Sequence, residues 1–198
     1  MKLLLFSDLH CNKELTRQIV RQSSEVDLVI GAGDFATVRR GLESSIDILK
    51  KITKPVILVP GNNETLDELK SACEGWQVHI LHGQGVNILN QEFYGLGGGV
   101  PETPFGDWSY DLSESEALEM LKNLPEKAVL ISHSPPKGYL DVSSTGKHFG
   151  SDAVLKTIRS KKPKLVVCGH IHESAGKIIQ LENTIIINAG PKGIIHQL

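Results

Sequence analysis

Aspartate, histidine and asparagine side chains follow short apolar runs at five places in this sequence. The last of these runs, residues 165–168, leads into Gly169-His170-Ile171-His172, where one tight turn carries two imidazoles. The complete set of strand-end candidates is Asp8, His10, Asp34, Asn62, His133, His170 and His172. Because open α/β sheets place their binding sites at the carboxyl ends of strands, the pattern predicts that these side chains meet at one site.

The types of these side chains indicate a metal site. Carboxylate, imidazole and amide oxygen are hard or borderline donors that suit Mn²⁺, Zn²⁺, Fe or Mg²⁺. Seven candidates are too many for one tetrahedral ion, so we expect two divalent ions that share a bridging carboxylate. Two ions about 3.5–4 Å apart can clamp a phosphoryl group and lower the pKa of a bridging water, which then attacks in line.

Each candidate also has a purely structural explanation when it is taken alone. Asp8 and Asp34 are suitable N-caps for the helices predicted after them. His133 shortly precedes Pro135 and Pro136, as an ordinary loop residue would. Capping does not account for histidines at three separate strand ends, however. The set as a whole therefore favours the dinuclear site.

A loop rich in glycine, proline and aromatic residues lies between the candidate ligands. Its glycine-rich start at 95–99 partly matches a dinucleotide fingerprint, but no helical pattern follows and Pro101 interrupts the segment. A flexible loop beside the site is the favoured interpretation. The aromatic residues Phe105, Trp108 and Tyr110 are suited either to stacking on a base or to packing over a sheet edge, and packing is favoured.

The composition is that of one globular domain. The chain has 198 residues, a net charge of −2 and a pI near 6.4, so no global basic field attracts nucleic acid. Cys11, Cys73 and Cys168 form no Cys-x-x-Cys pair, which fits a reducing cytosol. The apolar start ends at Ser7, too early for an export signal, and no segment has the length of a membrane span. We expect a cytoplasmic protein without a membrane partner, and the sequence leaves its oligomeric state open.

Short apolar runs alternate with helical patterns, which predicts an α/β fold. In the first half, strands are expected over 2–7, 26–31 and 55–60, and helices over 12–23, 40–52 and 64–73. In the second half we expect short strands over 77–97, a loop over 98–112, a helix over 113–122 with a capping box, a strand over 127–132, a loop over 134–149, a helix over 151–160, a strand over 164–168 and a closing meander at 175–181, 184–188 and 193–197. The two halves should supply two sheets packed face to face with helices outside.

The ordered motifs resemble those of the calcineurin-like metallophosphoesterases. They are Asp8-x-His10, Gly33-Asp34, Gly61-Asn62, His133 and Gly169-His170-x-His172, and they extend over nearly the whole chain. The resemblance implies that Asp8, His10 and His172 bind one metal ion, that Asn62, His133 and His170 bind the other, and that Asp34 bridges the two. It also implies a four-layer α/β/β/α sandwich of two mixed β-sheets, as a single domain of residues 1–198, with Mn²⁺ as the first choice of metal.

One position departs from the family pattern. The third motif of the family usually continues as Gly-Asn-His followed by Glu or Asp, and that histidine assists the leaving group or holds the phosphate. Here the motif is Gly61-Asn62-Asn63-Glu64, and an asparagine donates a hydrogen bond but no proton near pH 7. His148, on the loop after His133, is the candidate replacement as proton donor, although a plain surface histidine is the favoured alternative.

These inferences predict a metal-dependent phosphoesterase that favours diesters over monoesters. The substrate is expected to be a small phosphate ester, with a nucleotide as one candidate. The alternative is a catalytically weak module that uses the metals to hold a phosphate ligand. The presence of all seven ligands favours the enzyme.

Overall fold

The computed structural model describes residues 1–198 and contains two β-sheets with helices on their outer faces. The strands are β1 (Lys2–Phe6), β2 (Leu28–Gly31), β3 (Val56–Leu58), β4 (His79–Ile80), β5 (Gln84–Ile88), β6 (Gln91–Leu96), β7 (Val129–Ser132), β8 (Leu165–Cys168), β9 (Ile178–Leu181), β10 (Thr184–Asn188) and β11 (Ile194–Gln197). The helices are α1 (Lys13–Gln22), α2 (Leu42–Leu49), α3 (Leu66–Ala72), α4 (Glu114–Leu121) and α5 (Asp152–Lys161).

The first sheet has the strand order β11-β1-β2-β3-β4. Strands β1 to β4 are parallel, with Leu3 opposite Leu28 and Val29 opposite Val56, and only β11 is antiparallel. The central strands are continuous apolar runs because both faces of a parallel sheet are covered. Their carboxyl ends therefore all lie along one edge of the sheet.

The second sheet has the order β5-β6-β7-β8-β10-β9. Its four central strands are parallel, and the two edge strands β5 and β9 are antiparallel to their neighbours. The sheet is therefore mixed, as the first one is. The two mixed sheets with outer helices confirm the predicted fold class.

Alternate residues of the same strand enter different core layers. Leu3 and Leu5 of β1 pack with Ile131 of β7 in the layer between the two sheets. Leu4 and Phe6 pack in the layer beneath helices α1, α2 and α3. A third apolar layer lies between the second sheet and helices α4 and α5. Successive side chains of a strand point to opposite faces of the sheet, so each sheet packs against the other sheet on one face and against helices on the other. The molecule therefore has four stacked layers in the order helix, sheet, sheet and helix.

The structure contradicts the N-cap explanation for the two candidate aspartates. Helix α1 is capped by Asn12, whose side chain accepts from the Glu14 and Leu15 amides, and helix α2 begins after Gly41. Asp8 and Asp34 therefore cap no helix. The capping box predicted for α4 is confirmed, because Ser113 and Glu116 exchange side-chain and backbone hydrogen bonds.

The predicted closing meander is wrong in one respect. Strands β9 and β10 form an antiparallel pair, but β11 leaves the second sheet and pairs with β1 of the first. The physical reason is that β8 and β9 occupy both edges of β10. The free edge of β1 then offers the remaining backbone hydrogen bonds. Separately, none of the helices is long and apolar enough to cross a membrane.

Candidate metal centre

Five parallel strands bring the seven predicted ligands to one place. Asp8 and His10 follow β1, Asp34 follows β2 and Asn62 follows β3. From the second sheet, His133 follows β7, and the turn containing His170 and His172 follows β8. The site therefore lies where the carboxyl ends of both sheets converge. We call these seven residues the ligand cluster.

Several ligands lie on tightly turned backbone. The φ angles are 55° at Asp8, 42° at His10, 59° at Asp34 and 66° at His170, all in the left-handed region. Aspartate and histidine adopt this region more often than most non-glycine residues, although the conformation still costs free energy.

The first ligand group contains Asp8, His10 and His172, whose donor atoms all lie within 4.8 Å of one another. The Nε2 atoms of His10 and His172 are 3.0 Å apart, and Nε2 of His172 lies 3.8 Å from Oδ1 of Asp8. The side chain of His172 is 60% exposed, whereas that of Asp8 is 3% exposed. This group therefore opens toward solvent on its His172 side.

The second ligand group is more deeply buried. It contains Asp34, His133 and His170, and Oδ1 of Asn62 joins it at 3.2 Å from Nε2 of His133 and 3.1 Å from Nδ1 of His170. The amide nitrogen of Asn62 turns away and donates to Oγ of Ser109 at 2.9 Å. The amide oxygen is thereby directed toward the two imidazoles, which is the orientation required of a ligand.

Asp34 lies between the two ligand groups. Its Oδ2 is 3.6 Å from Nε2 of His10, in the first group, and its Oδ1 is 3.4 Å from Nε2 of His133, in the second. A carboxylate that faces both groups can ligate two ions at once. The geometry therefore matches the bridging position expected for Asp34.

The donor set fits divalent ions. Two donor atoms that are each about 2.1 Å from one ion lie about 3.0–3.4 Å apart at octahedral or tetrahedral angles. The Nε2 atoms of His10 and His172, 3.0 Å apart, lie within this range. In His10 and His133, the other ring nitrogen contacts the Ala36 and Ala32 carbonyl oxygens at 3.1 and 2.7 Å. Donation to a carbonyl leaves the lone pair of Nε2 directed into the site, which is the usual arrangement behind a metal ligand.

The charges of the ligand cluster also favour cations. Burial raises the pKa of Asp8, and the neighbouring Asp34 carboxylate adds to that effect. Burial acts on Asp34 in the same direction, but His133, His10 and His170 outweigh it and lower its pKa. Burial together with His133 lowers the pKa of His170 to about 4, so this imidazole is neutral near pH 7. A buried carboxylate pair surrounded by imidazoles is stabilised by positive charge placed between them.

Glu64 supports the ligand cluster, and the sequence interpretation assigned it no role. Its fully buried carboxylate accepts from the backbone amides of Asp34 and Gly61 at 2.8 Å and of Ala36 at 2.9 Å. It thereby ties the turn after β2 to the turn after β3. Burial and the nearby Asp34 raise the pKa of Glu64 to about 7. The available signal was its place as the acidic residue that ends the motif Gly61-Asn62-Asn63-Glu64.

Two more polar side chains position the outer turns. Oγ of Ser7 donates to Oδ2 of Asp8 at 2.5 Å and accepts from the Gly190 amide at 3.0 Å. The amide nitrogen of Asn188 donates to the carbonyl oxygens of Gly169 and Ile171, both at 3.0 Å. Asn188 thus shapes the turn that carries His170 and His172. Neither residue stands out in the sequence, because both contacts join distant parts of the chain.

Asn63 contacts a ligand rather than the open space above it. Its side-chain nitrogen donates to Oδ2 of Asp34 at 2.7 Å, and its backbone amide donates to Oδ1 at 2.9 Å. Its side-chain oxygen accepts from the Val38 amide at 2.7 Å. The residue lines the cavity, but its amide is occupied on both sides. Asn63 therefore positions Asp34 in this structure.

His148 lies outside the lining of the cavity. Its Nδ1 pairs with Oδ1 of Asp141 at 2.7 Å, and its side chain is 53% exposed. Asp141 also accepts from the backbone amides of Gly138 and Gly150, so it organises the loop between β7 and α5. The structure does not bring His148 to the ligand cluster, and a catalytic role for it stays a prediction.

A cavity of about 510 Å³ opens directly onto the ligand cluster. His10, Asp34, Asn62, His170 and His172 form its floor. Its walls come from residues 101–105 and Trp108 of one loop, from residues 143–145 and Phe149 of another, and from Glu173. The cavity is large enough for a small phosphate ester to reach the ligand cluster from solvent.

Two facing mixed sheets form a sandwich, and two adjacent groups of side chains that could each hold a metal ion lie where their strand ends converge. The calcineurin-like phosphoesterase superfamily domain matches residues 1–196. The chain belongs to this superfamily, as its ordered motifs suggested.

Similar proteins support the assignment. A UPF0046 protein of Caenorhabditis elegans is 31% identical, over 96% of this chain and 69% of its own length. The human metallophosphoesterase domain-containing protein 1 is 32% identical, over 71% of this chain, which spans only 41% of the human protein. Among solved structures, a dimetal phosphatase from Danio rerio superposes with a TM-score of 0.66 at 16% identity, over 95% of this chain and 86% of that one. At that identity the superposition shows the shared fold alone.

Proposed function

We propose that the protein hydrolyses small phosphodiesters with two divalent ions held by the ligand cluster. The observation that carries this proposal is the position of Asp34, whose oxygens face one histidine of each ligand group at the floor of an open cavity. Two bound ions would supply positive charge to the phosphate oxygens and would acidify a water molecule for attack. Mn²⁺ is the proposed metal, and Fe, Zn²⁺ and Mg²⁺ are the alternatives to compare.

The residues of the chain have separate parts in such a reaction. Asp8, His10 and His172 would hold the ion nearer to solvent, and Asn62, His133 and His170 would hold the buried one, with Asp34 shared. His10 and His172 also face the cavity, so a phosphate above them would lie beside the open side of the ligand cluster. Glu64 keeps the turns of Asp34 and Gly61 in register, and therefore acts by positioning.

A preference for activated leaving groups follows from Asn63. This residue stands where the family usually has a histidine, and its amide is held by Asp34 and Val38. An amide cannot deliver a proton to a departing oxygen near pH 7. Esters with activated leaving groups need little protonation, whereas alkyl esters without an acid react more slowly by about 10²–10⁴. We infer that activated diesters are better substrates than alkyl monoesters.

A second candidate function is a phosphate-binding module with little turnover. The side chain at position 63 favours it. The site has its ligands, but Asn63 places an amide where the family usually has a histidine. In that case the protein would bind inorganic phosphate in a metal-dependent way and would leave activated diesters intact.

One assay separates these functions. The purified protein, loaded with Mn²⁺, is incubated with bis-p-nitrophenyl phosphate and, separately, with p-nitrophenyl phosphate. The proposal expects metal-dependent release of p-nitrophenolate, faster from the diester, and loss of that activity in His172→Ala. His79→Ala is the matched control, because His79 is an exposed histidine on β4, outside the cavity lining. Metal-dependent phosphate binding without any turnover would establish the binding module instead.

A further inference from the structure

Two aromatic rings lie in the cavity wall beside the ligand cluster. Phe105 and Trp108 are stacked, with ring centroids 5.5 Å apart and an interplanar angle of 14°. Both rings line the cavity, as does Phe149 from the opposite loop. Phe105 is 52% exposed, and Trp108 belongs to none of the three core layers. Packing over a sheet edge, the favoured expectation from sequence, therefore does not explain this pair.

The loop that carries these rings is tied to a metal ligand. We call residues 98–112 the aromatic loop. Oγ of Ser109 accepts from the Asn62 side chain at 2.9 Å and donates to Asp111 at 2.8 Å, and the Tyr110 amide donates to the Asn62 carbonyl oxygen at 2.9 Å. Asp111 in turn accepts from the backbone and hydroxyl of Thr103, at 2.8 and 2.7 Å. These bonds fix the distance between the aromatic pair and the ligand cluster.

The charge of the cavity wall limits what can bind there. Glu102 and Glu173 both line the cavity, and no lysine or arginine does. Away from the ligand cluster, a negatively charged group would meet these two exposed carboxylates, and Arg39, which donates to the Trp108 carbonyl oxygen at 3.4 Å, is paired with Glu68. An uncharged or positively charged group would meet no such repulsion.

We propose that the cavity wall is a subsite for a planar aromatic group on the substrate phosphate, which stacks on the Phe105–Trp108 pair and carries no negative charge. The proposal rests on the proposed function for the position of the phosphate at the ligand cluster. The substrate is then a compact ester with one phosphate and an aromatic substituent, such as an aryl group or a nucleobase. A second phosphate on that side would be disfavoured by the exposed carboxylates of Glu102 and Glu173.

The first test measures binding, so that it is independent of turnover. Affinities of methylphosphonate, phenylphosphonate and 4-carboxyphenylphosphonate for the Mn²⁺-loaded protein are determined by titration calorimetry. Because its ring can stack on the aromatic pair, phenylphosphonate should bind about tenfold more tightly than methylphosphonate. The carboxylated ring should lose most of that gain. Equal affinities for methylphosphonate and phenylphosphonate would overturn the proposal.

Variants assign the gain to the aromatic pair. Trp108→Leu keeps an apolar side chain but removes the stacking surface. The affinity for phenylphosphonate should fall toward that for methylphosphonate, and the affinity for methylphosphonate should not change. Phe105→Leu tests the same point if Trp108→Leu fails to fold. Leu89→Ala, an exposed apolar residue outside the cavity lining, is the matched control and should change neither affinity. The double variant Glu102→Gln, Glu173→Gln should restore binding of the carboxylated ring, and a persisting penalty would overturn the charge argument.

A second arm distinguishes the sources of the aromatic group. Methyl, phenyl and thymidine 5′-esters of p-nitrophenyl phosphate share one leaving group and differ only in the other substituent. A lower KM for the phenyl than for the methyl ester supports the subsite, and a still lower KM for the thymidine ester identifies a nucleobase. If no ester is turned over while the phenylphosphonate preference persists, the proposed function fails and the subsite stands. If the esters are turned over but phenylphosphonate binds no more tightly than methylphosphonate, the proposed function stands and the subsite proposal fails.

Discussion

The ligand cluster and the aromatic loop face the same cavity, but different forces hold them there. The ligands follow buried parallel strands, and their positions are set by strand register and by tight turns that buried side chains such as Glu64 and Asn188 support. The aromatic loop has no strand or helix of its own and is held by side-chain hydrogen bonds through Asn62, Ser109 and Asp111. The contrast indicates that the chemistry is built into the scaffold, whereas substrate preference is carried by a separately anchored loop.

The largest expected effect is that of metal removal. Exhaustive chelation should abolish turnover, and reloading should restore it with two ions per chain, measured by elemental analysis. Because ions that bind only the folded state stabilise it, each site at 100 times its dissociation constant adds about 2.7 kcal/mol to the free energy of unfolding. The melting temperature should therefore fall after chelation. A single ion per chain in a fully active protein would contradict the two-group interpretation of the ligand cluster.

The next effect is that of Asp34→Asn. The variant removes the one negative charge that the two ligand groups share, so both ions should bind more weakly and turnover should fall by about 10² or more at saturating metal. Kinetics and metal titration measure the change, and circular dichroism checks the fold. Asp47→Asn makes the same substitution on the exposed face of α2 and should leave all three readouts unchanged. Near-native turnover of Asp34→Asn would show that the carboxylate is not shared.

A smaller effect is expected of Asn63→His, which tests whether position 63 is the place where a proton donor is missing. An imidazole that reaches the departing oxygen should raise activity on poor leaving groups by about tenfold or more, with little change on activated ones. The slope of log rate against leaving-group pKa should therefore become shallower. Asn63→Gln, which keeps an amide, is the control and should leave the slope unchanged. Equal slopes for wild type and Asn63→His would place the missing acid elsewhere.

The smallest effect concerns the anchoring of the aromatic loop by His82. Its Nδ1 accepts from the Gly97 amide at 3.0 Å, and its Nε2 contacts the Tyr110 hydroxyl at 3.1 Å. Burial, helped by Lys70, lowers its pKa from 6.5 to about 4. The folded state therefore resists protonation, and the contribution of the neutral ring, fully present above pH 6.5, is lost as the pH falls toward 4.

The variant His82→Gln should remove this part of the acid sensitivity. Between pH 6.5 and 4, the free energy of unfolding of the wild type should fall more steeply than that of the variant, by about 1.4 kcal/mol per pH unit at most. Urea unfolding at a series of pH values measures both slopes. His79→Gln, an exchange of an exposed histidine, should retain the wild-type slope. If the unfolding free energies of wild type and His82→Gln change in parallel with pH, folding does not shift the pKa of the His82 ring.

The ligand cluster could be predicted from sequence because each ligand directly follows a short apolar run. A buried parallel strand leaves that signature in consecutive residues, and its carboxyl end is then known without coordinates. For the same reason the strands β1, β2, β3, β7 and β8 were predicted within two residues of their bounds. The sequence thus carried both the fold class and the seven residues that converge.

The missed features all depend on contacts between distant segments. Nothing near β11 indicates that it pairs with β1, and nothing near His148 indicates that Asp141 holds its ring. The stacking of Phe105 on Trp108 within the cavity, and the three backbone amides bound by Glu64, are likewise products of the assembled fold. Hydrophobic periodicity records burial but not the partner of a polar side chain.

The left-handed backbone at Asp8, His10, Asp34 and His170 has a consequence for how this protein would change under selection. Such a conformation costs a non-glycine residue about 1–3 kcal/mol, so glycine at these positions would relieve backbone strain while abolishing ligation and the stability that bound ions add. Persistence of aspartate and histidine there among natural sequences would mark continuous purifying pressure for metal binding.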